Sequence, residues 1–504
     1  MSKKLLLFGL TCLFYISGYC QKKQEPSLVP AKPSEAPDYF CIWNVQGYVT
    51  SYESSPVMRK AMNEQNVFGN GKYEGWANMF SRLHKDLYLV LDDAWDTPLN
   101  GDKSYYGSLI VDSERFPSLK DLTPEQRLGQ LTKKTKDLGW KGLGLWICAQ
   151  QAPKFQMADN DTYWTERLNW MKKAGVSYWK VDWGKDSKSA EWRTWLTKIG
   201  KQTAPDLIIE QAMTPATMAT AVVYRTYDVE NIISVPHTID RVAKLLTALP
   251  KGEAESIINC EDEPYIAVGL GCAIGIMRHP FIGNLPNGAQ DHAFPPVGRD
   301  LKKSLDEEIR AVLWHRIALP FGINKTDFAI DTTLLHDYWT MKSKETWLKS
   351  HDKEGYKNEW QAPAIITRGL KKPVVSVKKG ELKPYILASK YPNGSVAIAA
   401  IGRTIDRNYL TPRADVTLEV ENLDQPFGIF GHYNTLTLEL VKLRSFTKVL
   451  AQDLAGEFPL DITKQIKIKG NKITIPGKLI DKVGLSAASP GDQSAPGMVL
   501  VFQK

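Results

Sequence analysis

The sequence predicts an α/β protein, a (β/α)8 barrel followed by a C-terminal antiparallel β-sandwich, and three observations carry that prediction. Eight short apolar runs alternate with longer amphipathic segments between about residues 39 and 277. Strands apolar on both faces and separated by helices belong to a parallel sheet covered on both sides, and eight is the number that closes one. From about residue 365 the texture changes to short alternating strands joined by turns, the signature of an antiparallel sandwich. The chain has 504 residues, beyond the roughly 250–300 at which one core stops growing, so two domains are expected. A doubly wound open sheet is the competing arrangement, but no GxGxxG-type loop follows the first strand.

Taken in order, the predicted barrel strands are YFCIWNV, DLYLVLDD, GLGLWIC, SYWKVD, LIIEQ, AVVYRT, SIINC and GCAIGIM. The intervening TPEQRLGQLTKKTKDLG has Thr123 as helix cap and Gly139 as stop, and YWTERLNWMKKAG also ends in glycine. SLDEEIRAVLWHRIALP supplies a long helix between the domains. Beyond it, ITRGLKKPVVSV, KPYILASKYPNGSVAIAAIG, ADVTLEVENL, QIKIKGNKITIP and GMVLVFQK are read as strands, with a turn at Pro392-Asn393-Gly394. At the start, Lys3 and Lys4 precede the apolar run LLLFGLTCLFYI, which reads as a secretory signal cleaved after Cys20. Lipidation of Cys20 is the alternative, disfavoured by the bulky Tyr19 before it. The expected divisions are therefore a signal peptide at 1–20, a flexible Pro-rich tether at 21–37, the barrel at 38–362 and the sandwich at 363–504. An exported protein, periplasmic or secreted, with no membrane span in its mature chain follows.

Composition narrows function further. The formal net charge of +8 is modest for this size and the basic residues are scattered, which gives nucleic-acid binding no support. Cys41, Cys148, Cys260 and Cys272 match no zinc spacing and lie in or beside apolar runs, so they are expected to be buried free thiols with no structural metal. Fifteen Trp and twenty Tyr supply aromatic faces of the kind that line selective pockets.

The chemistry is read from YWKVDWG, residues 178–184. By the two-residue period of a strand, Lys180 and Asp182 project to one face. A salt-bridged surface strand is the bland explanation, but Asp182 has company. Asp92 and Asp93 stand at the end of the second predicted strand, Glu210 at the fifth, and Arg225 and Asp228 at the sixth, the end at which barrel enzymes place their active sites. Two carboxylates on a shared pocket are what glycoside cleavage requires, one ionised to attack the anomeric carbon and one protonated for the leaving oxygen. Asp182 is the expected nucleophile, kept charged by Lys180, and Asp228 the expected acid/base.

These motifs resemble those of the α-galactosidase clan of glycoside hydrolases, in particular the family of lysosomal-type α-galactosidases and α-N-acetylgalactosaminidases. The similarity runs through the opening strand with Trp43 and Asn44, LDDAW, YYGSLIVDSERFP, GWKGLGLWI with Trp146, and YWKVDW. The resemblance implies a retaining enzyme that releases terminal α-linked galactose from carbohydrate and needs no cofactor, with Asp182 as nucleophile. It implies that Asp92 and Asp93 bind the axial 4-hydroxyl and the 6-hydroxyl, that Lys180 holds sugar hydroxyls, and that Trp43, Trp146 and Arg225 join the substrate-binding set. Glu210 and, three residues on, Met213 correspond to residues that fill the space around a free 2-hydroxyl and so exclude an acetamido group. Three departures stand out. Ala94 and Trp183 replace disulfide cysteines of many relatives. Arg225 and Asp228 are three apart where the family has four, which makes Glu230 the second candidate acid/base. QQAPKFQMADND and the stretch around IGNLPNGAQDHAFPP have no counterpart. Other glycones (β-L-arabinopyranose, N-acetylgalactosamine, α-1,6-linked glucose) and a non-catalytic sugar-binding surface protein are the alternatives; the sequence sets no oligomeric state.

Overall fold

In the computed structural model, which describes residues 25–50, 54–71, 74–227, 233–280, 299–342, 353–442 and 445–503, eight parallel strands close a barrel in chain order. They are β1 (Tyr39–Cys41), β2 (Tyr88–Leu91), β3 (Gly142–Ile147), β4 (Tyr178–Val181), β5 (Ile208–Gln211), β6 (Val223–Arg225), β7 (Ile257–Glu261) and β8 (Ala273–Ile276). β1 pairs with both β2 and β8, which completes the circle. The eight predicted runs are these eight strands. The opening run is cut short, however: Trp43 begins a short helix, Trp43–Tyr48, instead of extending β1. The helix Pro124–Asp137 starts on a capping box in which the Thr123 hydroxyl accepts from the Gln126 N–H and the Gln126 side chain accepts from the Thr123 N–H, two otherwise orphaned donors satisfied at once. The helix Asn160–Ala174 ends on Gly175 at φ 69°, a left-handed cap that glycine adopts without a steric penalty.

The period of two sorts each strand into an inner and an outer face. Outward residues such as Trp179, Val181 and Leu145 join the large core beneath the helices. Tyr39, Cys41, Val90, Tyr178 and Met277 form a small separate core inside the barrel, where the Tyr39 and Tyr178 rings meet edge-on at 5.3 Å. Glycines on neighbouring strands make room for this layer, since a Cβ on Gly275 would lie 2.7 Å from the Tyr39 ring and one on Gly144 2.7 Å from Val90. Lys180 and Asp182 therefore sit above an aromatic floor, on the same inner face as Tyr178.

The C-terminal part is larger and more mixed than a sandwich beginning at 363. Strands Phe328–Ile330, Leu334–Thr340 and Lys357–Pro363, which precede that position, already pair within its sheets. Among the described residues these sheets have eight, five and four strands. Most pairs are antiparallel, but Ile365–Arg368 runs parallel to Tyr385–Lys390, Val396–Ile401 to Phe427–Gly431, and Asp415–Val420 to Thr435–Leu440. Val396–Ile401 is buried along its whole length because both its faces are covered. Ala397 and Ala399 join the core shared with the barrel, and Ile398 and Ala400 the core between the sheets. The two parts are also pinned by a fully buried ion pair, Arg310 Nε to Asp453 Oδ1 at 2.9 Å and Nη2 to Oδ2 at 3.1 Å.

From Glu25 onward the predicted tether is fastened to the body. The Leu28 N–H donates to Gln452 at 2.6 Å and the Ser34 N–H to Asp86 at 2.7 Å, while Lys141 donates to the carbonyls of Ser34 and Ala36. Leu28 and Val29 rest against the core, so these apolar contacts offset the ordering entropy that a free linker would keep. The signal sequence and Cys20 lie outside the described residues, among which no helix is long and apolar enough to cross a membrane. Cys41, Cys148, Cys260 and Cys272 are buried free thiols, as expected.

Candidate active site

The inner faces of the strands open at their C-terminal ends into a cavity of about 210 Å3, enough for a single sugar ring, lined by Trp43, Asp92, Asp93, Trp146, Lys180, Asp182 and Arg225 of the predicted set. Asp182, one residue past β4, lies at its floor. Its Oδ1 accepts from Arg225 Nη2 at 3.0 Å and its Oδ2 from the Trp146 indole N–H at 2.7 Å. Burial pushes this carboxyl upward, but Arg225, then Lys180, then the Trp146 and Tyr227 hydrogen bonds outweigh it and hold Asp182 below the usual carboxylate range. The group is ionised at neutral pH, and Arg225, which sequence reading placed only in the substrate-binding set, is its direct ion-pair partner.

Lys180 is committed elsewhere. Its Nζ lies 3.0 Å from Asp92 Oδ2 and 3.7 Å from Glu261 Oε1, so its influence on Asp182 is through space and not through a bond. Asp92 is further bound by the Cys41 thiol at 2.9 Å and by the Asp93 N–H at 2.8 Å. Arg225 spans three carboxylates, reaching Glu210 Oε1 at 2.9 Å and Glu261 Oε1 at 3.6 Å besides Asp182.

Glu210 and Met213, expected to surround a sugar 2-hydroxyl, are not among the residues that line the cavity. Glu210 sits on β5 level with Lys180 and is fully buried. Its oxygens accept from Arg225, from Tyr178 at 2.8 Å and from Asn259 at 3.1 Å. A carboxylate already holding three donors is a structural partner of Arg225. Met213, beyond the strand end at φ 67°, has its sulfur 3.8 Å from Arg193 Nη2. Asp228 and Glu230 lie outside the described residues, as does all of IGNLPNGAQDHAFPP.

Ser55, Arg59, Trp183, Tyr227, Glu261 and Met277 also line the cavity, and sequence reading did not assign them to it. Glu261 ends β7 and was open to the same strand-end rule that found Asp182. Trp183 packs with Trp146 and Tyr106. The Tyr227 ring lies 5.0 Å from the Arg225 guanidinium, and its backbone takes φ 65°, rare for a bulky residue. Arg59 comes from the short helix Ser55–Lys60 and donates through Nε to Asp93 Oδ2 at 2.8 Å. No periodic signal marks it.

Behind the cavity, Asp96 is buried with one oxygen unpartnered and the other accepting from the Leu109 N–H at 3.2 Å. Burial pushes its carboxyl from 3.8 up to about 7. In the unfolded chain the same group loses its proton at 3.8, so the folded state binds more protons between these values. Stability from this site is therefore full below the lower value and falls as pH rises through the upper one, by at most on the order of 4 kcal/mol. Asp96→Asn, a neutral mimic, is expected to raise the melting temperature at about pH 8 and change it little at about pH 4; equal shifts at both values would mean Asp96 titrates normally.

No protein-family model and no curated protein matches this sequence. Among solved structures, the chain is similar to α-galactosidase I of Mortierella vinacea, at 10% identity and TM-score 0.41 over 94% of this chain and 98% of that one. It is also similar to a GH27 β-L-arabinopyranosidase of Geobacillus stearothermophilus, at 11% identity and TM-score 0.42 over 93% and 96%. A third is the α-galactosidase of Saccharomyces cerevisiae, at 10% identity and TM-score 0.39 over 94% and 97%. At such identities the chemistry has to be argued from the side chains of the cavity itself.

Proposed function

We propose that this chain is a retaining exo-acting glycoside hydrolase that releases a terminal α-linked sugar of galactose configuration by double displacement through Asp182. The observation that carries the reading is Asp182 itself, a carboxylate held ionised by Arg225 and oriented by the Trp146 N–H at the floor of a cavity of about 210 Å3. In the first step an Asp182 oxygen bonds to the anomeric carbon as the glycosidic bond breaks, and the leaving oxygen takes a proton, which we assign to Asp228. In the second step Asp228 accepts a proton from water, whose oxygen displaces Asp182 from the same carbon, so two inversions give net retention. Lys180 and Arg225 neutralise the carboxylates packed around the reacting centre. No step calls for a cofactor. The chain is proposed to act after export, with lipid anchoring at Cys20 as the alternative.

Screening the purified protein against aryl α-galactoside, α-N-acetylgalactosaminide, α-glucoside and β-L-arabinopyranoside, with NMR of the first-formed sugar, tests this. Hydrolysis of the α-galactoside or another sugar of its configuration with retained anomeric configuration is expected. An inverted product would mean a water sits between Asp182 and the anomeric carbon, and no turnover of any of the four would remove the assignment.

A further inference from the structure

The cavity is richer in acceptors than in donors. Asp92, Asp93, Asp182 and Glu261 line it against three cations, Lys180, Arg225 and Arg59, so a ligand that fills it brings hydroxyl donors. Most of this acceptor capacity is already used. Asp92 takes bonds from Lys180, from the Cys41 thiol and from the Asp93 N–H, Asp182 from Arg225 and Trp146, and Asp93 Oδ2 from Arg59. Asp93 Oδ1 stays open, and Asp93 already belongs to the predicted substrate-binding set.

Glu261, at the end of β7, lies outside that set and is the least engaged of the four. Its side chain is 2% exposed, yet the one hydrogen bond it accepts among the described residues comes from the Tyr39 hydroxyl to Oε1, at a long 3.3 Å. Lys180 Nζ at 3.7 Å and Arg225 Nε at 3.6 Å approach the same oxygen from beyond bonding distance. Oε2 has no hydrogen-bond partner among the described residues and opens into the cavity. Buried carboxylates are rarely left so. Nε and Nη2 form one edge of a guanidinium, and along that edge Arg225 meets both Glu261 and Asp182, which sets the two carboxylates side by side. A ring placed for attack by Asp182 is within reach of Glu261.

We propose that Glu261 is a substrate-binding residue that sets specificity by accepting, through Oε2, a hydrogen bond from one ring hydroxyl of the sugar held over Asp182. The inference rests on the glycosidase reading above and deepens it. Lys180 and Arg225 balance the charge of Glu261 from a distance and leave its second oxygen to the ligand. A hydroxyl donating to a carboxylate makes a charge-assisted bond, about twice as strong as a neutral one. A sugar without that hydroxyl leaves the buried oxygen unpaired and is rejected for it.

The test measures kcat/KM of wild type, Glu261→Gln and Glu261→Met on 4-nitrophenyl α-galactoside and its 2-, 3-, 4- and 6-deoxy analogues. The ratio of wild type to variant on each sugar cancels intrinsic differences in reactivity, and its change from sugar to sugar is the coupling between Glu261 and one hydroxyl. For Glu261→Met, which removes the acceptor, that ratio is expected to be at least about tenfold smaller on one deoxy sugar than on the parent. Glu261→Gln keeps a carbonyl acceptor and should retain part of the discrimination. A ratio that is the same on every sugar in both variants would mean that Glu261 only balances Lys180 and Arg225; it overturns the inference and leaves the proposed function standing. If no sugar is turned over, calorimetric titration with galactose and its monodeoxy forms reads the same coupling in Kd. A deoxy sugar bound equally by wild type and Glu261→Met, where wild type binds galactose at least about tenfold more tightly, supports the role of Glu261 even as the hydrolase reading falls. Galactose bound no better by wild type than by the variant ends both.

Discussion

Asp182→Asn is expected to abolish turnover, lowering kcat/KM by at least about 10⁴-fold, because an amide cannot form the glycosyl ester. The loss should be similar for good and poor leaving groups, since both need the attacking carboxylate. Removing the proton donor, by contrast, is felt mainly with poor leaving groups. The fold should survive. The introduced amide can still accept from Arg225 through its oxygen, but its nitrogen meets the Trp146 N–H where a carboxylate oxygen accepted at 2.7 Å, a loss of about 1 kcal/mol in stability. Activity above about a thousandth of wild type in a variant with a native circular dichroism spectrum would remove Asp182 from the nucleophile's role.

The largest expected effect on stability comes from Arg225→Met. Arg225 is 1% exposed and touches Asp182, Glu210 and Glu261, so its removal leaves three carboxylates crowded in the barrel without their shared cation. Breaking a buried pair by deleting one partner costs about 3–5 kcal/mol. The cost has a definite pH dependence. Arg225 is what holds Asp182 below its ordinary range; without it, burial and like charges raise the carboxylates, the folded state takes up protons that the unfolded state has lost, and stability falls as pH rises. The difference in melting temperature between wild type and Arg225→Met should therefore be greatest at about pH 8 and shrink toward about pH 4. Arg225→Lys keeps the charge but cannot bridge three carboxylates, and should fall between them. A variant as stable as wild type under the alkaline condition would show that water, not Arg225, balances these groups.

Glu210 illustrates where reading from sequence stops. Its place at the end of β5 was legible, because LIIEQ is a strand and barrel strands end in polar residues at the functional face. Its task was not legible. Whether a strand-end carboxylate meets substrate or a neighbouring side chain depends on how far up the barrel wall it stands, and Glu210 is level with Lys180, one inward step below Asp182. That is low enough for Tyr178 and Asn259 to reach it. Arg59 shows the converse. It comes from a six-residue helix with no side-chain N-cap bond, in a connection between β1 and β2 that carries no hydrophobic period, yet it covers Asp93.

What the amino-acid order settles here is local: which runs are strands, that Thr123 and Gly175 bound helices, and that Tyr178, Lys180 and Asp182 share a face while Trp179 and Val181 turn away. These follow from backbone period and side-chain chemistry within a few residues. The pairing of charges belongs to the tertiary structure alone. Lys180 meets Asp92, 88 positions away in the chain, and Glu261, far off on its other side, because barrel closure brings the inner faces of β2, β4 and β7 around one cavity. The same holds for Val396–Ile401, whose apolar run is explained only by a barrel on one side and a second sheet on the other. A two-residue period says which way a side chain points; strand order and stagger around the closed barrel decide what it finds there.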